Sequence, residues 1–338
     1  MSRVDGAVSE GPPEAGAEES QVVSLGISNV KSFAAALQCL RASNKQTCTV
    51  QIHTEGVSFL WEDDSKALQS NLLFKPELFS RYTCASGVYH EFGIQLQLLL
   101  DTLAVFASAS APMTAHYPGP QAELVCEMTD ITAGTGPGQR ASGLGGAYGG
   151  GGLGPGAVCT WARIASLEPR SVVDMQDHWV EPTSSFLCPG FLLKEAIDDL
   201  EWPGGAVEVR LQQDPQRLVL ASAGHGVLEV EIPSNRVSGF HCTQPEVRFS
   251  YKYRHIKLAC CNLPNPRDCA AISTKVSIDA NGILKITHML GLDPQPGGRG
   301  LAGDQPSALF ESQRLINSNK VAVIQFLLQA SEEEGAPS

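Results

Sequence analysis

Residues 22–40 read VVSLGISNVKSFAAALQCL, and residues 184–200 read SSFLCPGFLLKEAIDDL. Each opens on a short apolar strand-like run and passes within a few residues into helical period. In the first, Val22 to Ile27 is the strand and Ser28 or Asn29 the N-cap. Val30, Phe33, Ala34, Leu37 and Leu40 then form one apolar stripe. In the second, Ser184 to Cys188 is strand-like, and Leu193, Ala196, Ile197 and Leu200 share one face of a helix over 191–200. Outward from the first unit, the pattern predicts a hairpin (48–53, a Glu55-Gly56 turn, 57–61) and strands over 67–74 and 88–95. A helix over 96–107 and strands over 122–129 and 158–164 follow. Outward from the second, it predicts strands over 207–211, 217–221, 227–232 and 247–250, then a short helix over 251–259. Strands over 271–278 and 283–290, joined at Asn281-Gly282, and a last strand over 320–328 complete it. Identity between the halves is weak, but the order of elements repeats, so the economical reading is two copies of a small α+β unit.

The 338-residue length fits roughly two domains at ~150 residues each. The expected layout is a disordered tail over 1–20, a first domain over 21–168, a proline-bounded connector over 169–182, a second domain over 183–330 and an acidic tail over 331–338. Gly-rich 131–157 and Gly/Pro-rich 292–306 read as expanded hairpin loops within the domains, because such sequence buries too little surface to order itself. Lys+Arg total 24 against 36 Asp+Glu, a net charge of -12. That balance argues against a uniformly basic nucleic-acid coat or a polybasic membrane binder, but not against a protein that segregates its charge. No apolar run approaches the ~18 residues of a membrane helix, and the first twenty residues lack the apolar core of a secretory signal. The 10 cysteines include no CxxC, and most lie in apolar runs as small core residues, which points to a reducing compartment, cytosol or nucleus.

Motifs for chemistry are weak. GxGxxG occurs at Gly149, Gly151, Gly154 and at Gly298, Gly300, Gly303, but neither match has the strand before it and the helix after it that phosphate cradling needs. Asp174, Asp177 and His178 fall in the connector as a solvated polar loop, and His241-Cys242 with Cys260-Cys261 lacks zinc spacing, so no metal or other cofactor is expected. Two carboxylate groups, Glu62-Asp63-Asp64 and Asp198-Asp199 with Glu201, are the candidates for a two-metal nuclease, the second on a polar helix face where charges ordinarily meet water. No nucleophile elbow supports a hydrolase. Cations are more telling. Lys31 and Arg41 lie opposite the first helix's stripe with Lys45 just beyond, and Lys252, Arg254, His255 and Lys257 crowd one short segment. They read either as solvated helix surface or as sequence-independent phosphate contacts.

The tandem α+β plan resembles the sliding-clamp fold of proliferating-cell nuclear antigen. The segments that sharpen it are Val23-Ser24-Leu25 through Asn29-Val30, Leu98 through Phe106, Phe240 through Gln244 before Tyr251-Lys252, and Lys275 through Ile278 before Asn281-Gly282. Together they resemble the Rad-one type of subunit of the nine-one-one DNA-damage checkpoint clamp, from about Val22 to Leu328. The resemblance implies an α+β fold of two topologically similar domains, with outer β-sheets and inner helices lining a ring. It implies a non-catalytic nuclear subunit partnered by two paralogous clamp subunits, Rad-nine-like and Hus-one-like. A clamp loader, double-stranded DNA and primer-template junctions bound without sequence preference, and repair enzymes are the further partners; no membrane is expected. The alternatives are a 3′-to-5′ exonuclease, an activity sometimes attributed to this family, and a homotrimeric replication clamp.

Carried onto this sequence, the DNA-facing residues are Lys31, Arg41, Lys45, Lys194, Lys252, Arg254 and Lys257. The subunit-interface candidates are Leu124 and Cys126 in one strand and Leu228 and Val230 in another. Val172, Val173 and Trp179 are the anchors of a partner-docking connector. The 191–200 helix departs from a basic channel, since beside Lys194 it carries Glu195, Asp198 and Asp199, and the 96–107 helix offers no cation.

Overall fold

The structure is a computed structural model that describes residues 22–107, 112–130, 158–172, 174–201, 205–224, 226–264, 272–292 and 321–331. The two GxGxxG matches, Val173, the N-terminal tail, nearly all of both glycine-rich insertions and the acidic tail past Ser331 lie outside these residues.

The first half runs β1 (Val23–Ile27), α1 (Val30–Gln38), β2 (Thr47–His53), β3 (Gly56–Glu62), β4 (Leu68–Phe74), β5 (Arg81–Thr83) and β6 (His90–Gln95). It continues through α2 (Leu96–Ala107), β7 (Met113–Tyr117), β8 (Leu124–Asp130) and β9 (Val158–Ile164). The second half runs β10 (Pro182–Pro189), α3 (Gly190–Asp199), β11 (Ala206–Gln212), β12 (Arg217–Ala223), β13 (Val227–Ile232), β14 (Ser238–Cys242) and β15 (Glu246–Lys252). It ends with α4 (Tyr253–Cys261), β16 (Ile272–Asp279), β17 (Leu284–Gly291) and β18 (Val321–Leu328).

The strand orders expose the repeat. In the first half β5-β1-β7-β8-β9 form one sheet, and β4-β3-β2-β6 lie side by side in another. In the second, β14-β10-β16-β17-β18 and β13-β12-β11-β15 stand in the same two orders. β18 is therefore the counterpart of β9, and β13 the counterpart of β4. β18 pairs antiparallel with β4, from Ala322 opposite Phe74 to Leu328 opposite Leu68, and so fuses two of the blocks into one nine-stranded sheet. The helices pack in pairs, α1 on α2 and α3 on α4, against the sheets.

Local chemistry explains the elements. Asn29 caps α1 by accepting from the Ser32 amide at 3.0 Å, worth about 1 kcal/mol. Val30, Phe33, Ala36 and Leu37 bury the apolar stripe of α1. The Asn281-Gly282 turn needs its glycine, because Gly282 sits at φ +79° and a Cβ there would lie 2.6 Å from the Phe249 ring. Several expected boundaries move by one or two residues, and one of the shifts trades helix for strand. The alternation Val247, Phe249, Tyr251 carries β15 on to Lys252 beside β11, so α4 starts at Tyr253 and not at Tyr251. β5, β7 and β14 lie outside the expected pattern, which passed over these short segments. No helix among the described residues is long and apolar enough to cross a membrane.

Candidate nucleic-acid interface

The segments that follow α1 and α4 meet where the halves join. Asn262, just after α4, donates to the Arg41 carbonyl at 2.8 Å. Between them lies a cleft of about 700 Å³ with Arg41 and Lys45 on one wall, Arg254 and Lys257 on another, and Trp61, Asp63, Asp64 and Arg170 at its side. Four of the seven expected DNA-facing cations, Arg41, Lys45, Arg254 and Lys257, are thus gathered in one place. Lys31 is exposed on α1, and Lys252 is exposed at the end of β15. Lys194 is half-buried on α3, outside this cleft. Arg170 is a cleft cation that helical spacing could not reveal, since it arrives from the connector, tied to Thr49 by two hydrogen bonds of 3.0 and 3.1 Å.

The charges in the cleft are partly matched. Arg254 lies 3.6 Å and His255 3.3 Å from the Asp63 carboxylate, across the junction of the halves. Burial raises the Asp63 pKa, but hydrogen bonds from Ser65 and the Leu68 amide and the nearby His255 outweigh it and hold the carboxyl below its usual value. Burial pushes the His255 imidazole below its usual value, although Asp63 pulls the other way. Lys257 donates to Glu201 at 2.7 Å and its ammonium lies 5.5 Å from the Tyr253 ring centroid. Lys45 and Arg170 make no ion pair with a described residue.

Three of the six carboxylates proposed for a nuclease, Asp63, Asp198 and Glu201, are engaged by structural partners. Asp63 accepts from Ser65 at 2.6 Å and from the Ala67 and Leu68 amides at 3.0 Å. Glu201 pairs with Lys257. Asp198 hydrogen-bonds the Cys261 thiol, whose pKa burial first and Asp198 second push up to about 12. Among the described residues no group of three or more His, Cys, Asp and Glu side chains is placed to hold a metal ion.

The interface candidates divide. Leu124 and Cys126 are buried core residues of β8, whose two edges are taken by β7 and β9. That strand has no free edge to offer a neighbour; among the described residues the end strands of the sheet are β9 and β5. Sequence position could not tell the last strand from the one before it, because the two are joined across a long insertion. β13 does lie at the end of its sheet. Its Leu228 and Val230 are half-buried against the core, while Val227, Glu229 and Glu231 face out. Trp161 on β9, 68% exposed, and Val227 on β13, 73% exposed, are the most exposed large apolar side chains described.

The connector crosses the outer face of the second-half sheet. Met175 packs on Ile283 and Leu327, half-buried Trp179 joins them, and the Lys285 ammonium lies 5.3 Å from the Trp179 ring centroid. Val172 is half-buried nearer the start of the connector, lining a smaller recess beside Trp61.

Known structures match this architecture along almost its whole length. PCNA from Thermococcus kodakaraensis superposes with a TM-score of 0.62 at 12% identity, covering 91% of this chain and 100% of that one. A PCNA2-PCNA3 complex from Sulfolobus tokodaii gives 0.60 at 11% identity, covering 91% and 98%. The chain has the PCNA-like sliding-clamp fold. Within this chain, residues 22–135 match the family described as "Repair protein Rad1/Rec1/Rad17". No curated protein sequence matches the chain.

Proposed function

We propose that this chain is a non-catalytic subunit of a heterotrimeric ring that encircles DNA and works in the damage checkpoint within the nucleus. The observation that carries the reading is the open pair of edges. Inside the chain the last strand of the second repeat, β18, closes on β4 of the first. Among the described residues the same positions in the opposite repeats, β9 and β13, have no such partner. A chain that ends on the unused half of its own seam closes by finding that half on neighbours, head to tail, and such interfaces make rings. The Rad1-like first half supports two paralogous neighbours, Rad-nine-like and Hus-one-like, over copies of the same chain.

A ring holds DNA topologically, so weak, sequence-blind phosphate contacts suffice to centre and slide the duplex. Lys31, Lys252, Arg254 and Lys257 supply such contacts in this reading, α2 and α3 add little attraction, and the acidic balance belongs mostly to the outer wall. A clamp loader opens the ring at primer-template junctions, and repair enzymes dock on the connector near Val172, Val173 and Trp179.

Size analysis tests the assembly. The expected result is a monomer alone and a one-to-one-to-one complex with the two paralogous subunits; a stable trimer alone sinks the heteromeric assignment. For DNA, charge reversal at Lys252 and Lys257 is expected to weaken duplex binding by the assembled ring without unfolding it. Unchanged binding rejects their role. Nuclease activity with Mg²⁺ or Mn²⁺ that is abolished by Asp198→Ala with Asp199→Ala in a folded protein would defeat the non-catalytic reading.

A further inference from the structure

The cleft between α1 and α4 is more than a stretch of cationic wall. Its floor is recessed, and Trp61 and Arg170 border it together with a second recess of about 190 Å³ on their far side. The indole of Trp61 is half-buried on β3. Arg170 is anchored at its backbone by Thr49, so its side chain is presented from a fixed base. Arg41, Lys45 and Arg170 are the cleft cations with no ion pair among the described residues, Arg41 donating to the Asn44 side-chain oxygen at 2.6 Å, whereas Arg254 and Lys257 already face Asp63 and Glu201. Opposed to these cations stand only two lining carboxylates, Asp63 and Asp64.

A volume of this size suits a small organic group of one or two nucleotides. A duplex shows the cleft only its outer phosphates, because its bases are stacked and paired inside. A single strand exposes both phosphates for cations and bases for an aromatic face, which is how sequence-independent single-strand sites are built. Trp61 packs partly on the core, and an acidic peptide would use the cations but leave the part of the indole that borders the cleft uncovered.

We propose that this cleft binds single-stranded nucleic acid, with phosphates on Lys45 and Arg170 and a base against Trp61. The proposal deepens the clamp reading and rests on it for the choice of nucleic acid over other anions. A strand leaving a duplex within the ring would be caught at the junction of the two halves, which gives the ring a fixed orientation at single-strand/double-strand boundaries.

The test is fluorescence anisotropy of the full chain with a labelled oligo(dT) of a few nucleotides, competed by blunt duplex, by pyrophosphate and by a polyglutamate peptide. Saturable single-strand binding that duplex competes poorly is expected. Lys45→Glu with Arg170→Glu, both at exposed positions, is expected to weaken it at least ten-fold. Trp61→Ala is expected to weaken it roughly ten-fold, the usual order for losing one stacked base. Trp61→Phe keeps a ring and is expected to restore most of the binding, which separates stacking from a folding defect. The salt dependence is expected to drop by about 0.7 in slope for each phosphate contact removed. Equal binding of duplex and single strand with no effect of Trp61→Ala overturns the proposal, as does stronger competition by polyglutamate, or no binding. Assembly with the paralogous subunits is measured in parallel. A ring that forms while oligo(dT) fails to bind rejects the cleft alone; a ring that never forms rejects the clamp reading itself.

Discussion

β18 and β9 hold the same place in the two repeats, as do β4 and β13, yet among the described residues β18 and β4 are joined while β9 and β13 end their sheets. β18 reads VAVIQFLL; its Ala322, Ile324, Phe326 and Leu328 go to the core, and its Leu327 lies under the connector at Met175. β13 reads VLEVEI and alternates, with Val227, Glu229 and Glu231 facing out. β9 turns Trp161 and Arg163 outward. Identical topology thus carries two surface chemistries. The closed seam is apolar on its core face and uncharged on the other, where Gln325 stands opposite Asn71, whereas the edge strands keep charges and one or two exposed apolar side chains. The surroundings of the seams differ as well. Arg41 and Lys45, just after α1, and Arg254 and Lys257 of α4 gather in the cleft, while α2 and α3 expose Leu98, Val105 and Phe191.

The largest effect is expected on the closed seam. Phe326→Ala removes a side chain only 1% exposed and should cost about 3–5 kcal/mol in urea unfolding of the chain alone. A loss below about 1 kcal/mol would mean that the β18–β4 seam contributes little to stability.

The next is a pH effect in the same layer. His288 is fully buried, 6.0 Å in ring-centroid distance from Phe326. The Ala259 carbonyl can only accept, so the ring proton sits on Nε2 and Nδ1 accepts from Thr274, each at 2.7 Å. Burial pushes this imidazole from 6.5 down to about 4, so the neutral form is native. The unfolded chain takes the proton first as pH falls. The stabilisation is therefore whole above pH 6.5 and lost on the way to about 4. It amounts to on the order of 3 kcal/mol. Unfolding free energy against pH should show that slope in the native protein and a flatter one in His288→Gln.

At the open edges the pattern reverses. Trp161→Glu should leave the isolated chain within about 0.5 kcal/mol of the native stability. It should weaken assembly with the neighbouring subunit by about 2 kcal/mol, the scale of an aromatic interface anchor. Sedimentation of the mixed subunits reads the second number, and a change in the isolated chain equal to that in Phe326→Ala would erase the distinction between the seams. The smallest effect is local to α1: Asn29→Ala should cost about 1 kcal/mol through the lost cap, with no change in assembly.

Much of this was legible beforehand. The α1 stripe, the 96–107 helix, the Asn281-Gly282 turn and the order of elements follow from periodicity and turn chemistry, which are local. So did the cationic residues of α1 and α4 as a group. Leu124 and Cys126 show where local reading stops. β8 and β9 are both short apolar strands, and which of them is the edge depends on pairing between residues far apart in sequence. Arg170 and Trp61 show it again, since neither has a helical or motif context, and each becomes a cleft residue only when the connector lies across β2 and β3.

The sequence by itself determined the two repeats, the capped first helix, the apolar strand that ends the second repeat and the two clusters of cations. These depend on propensity and spacing over a few residues. Only the tertiary structure decided that β18 closes on β4, that β9 and β13 end their sheets among the described residues, and that Arg41, Lys45, Arg170, Arg254 and Lys257 surround one cleft. Those facts are set by contacts more than a hundred residues apart, where burial and hydrogen bonding across the whole chain choose among pairings that local chemistry leaves equal.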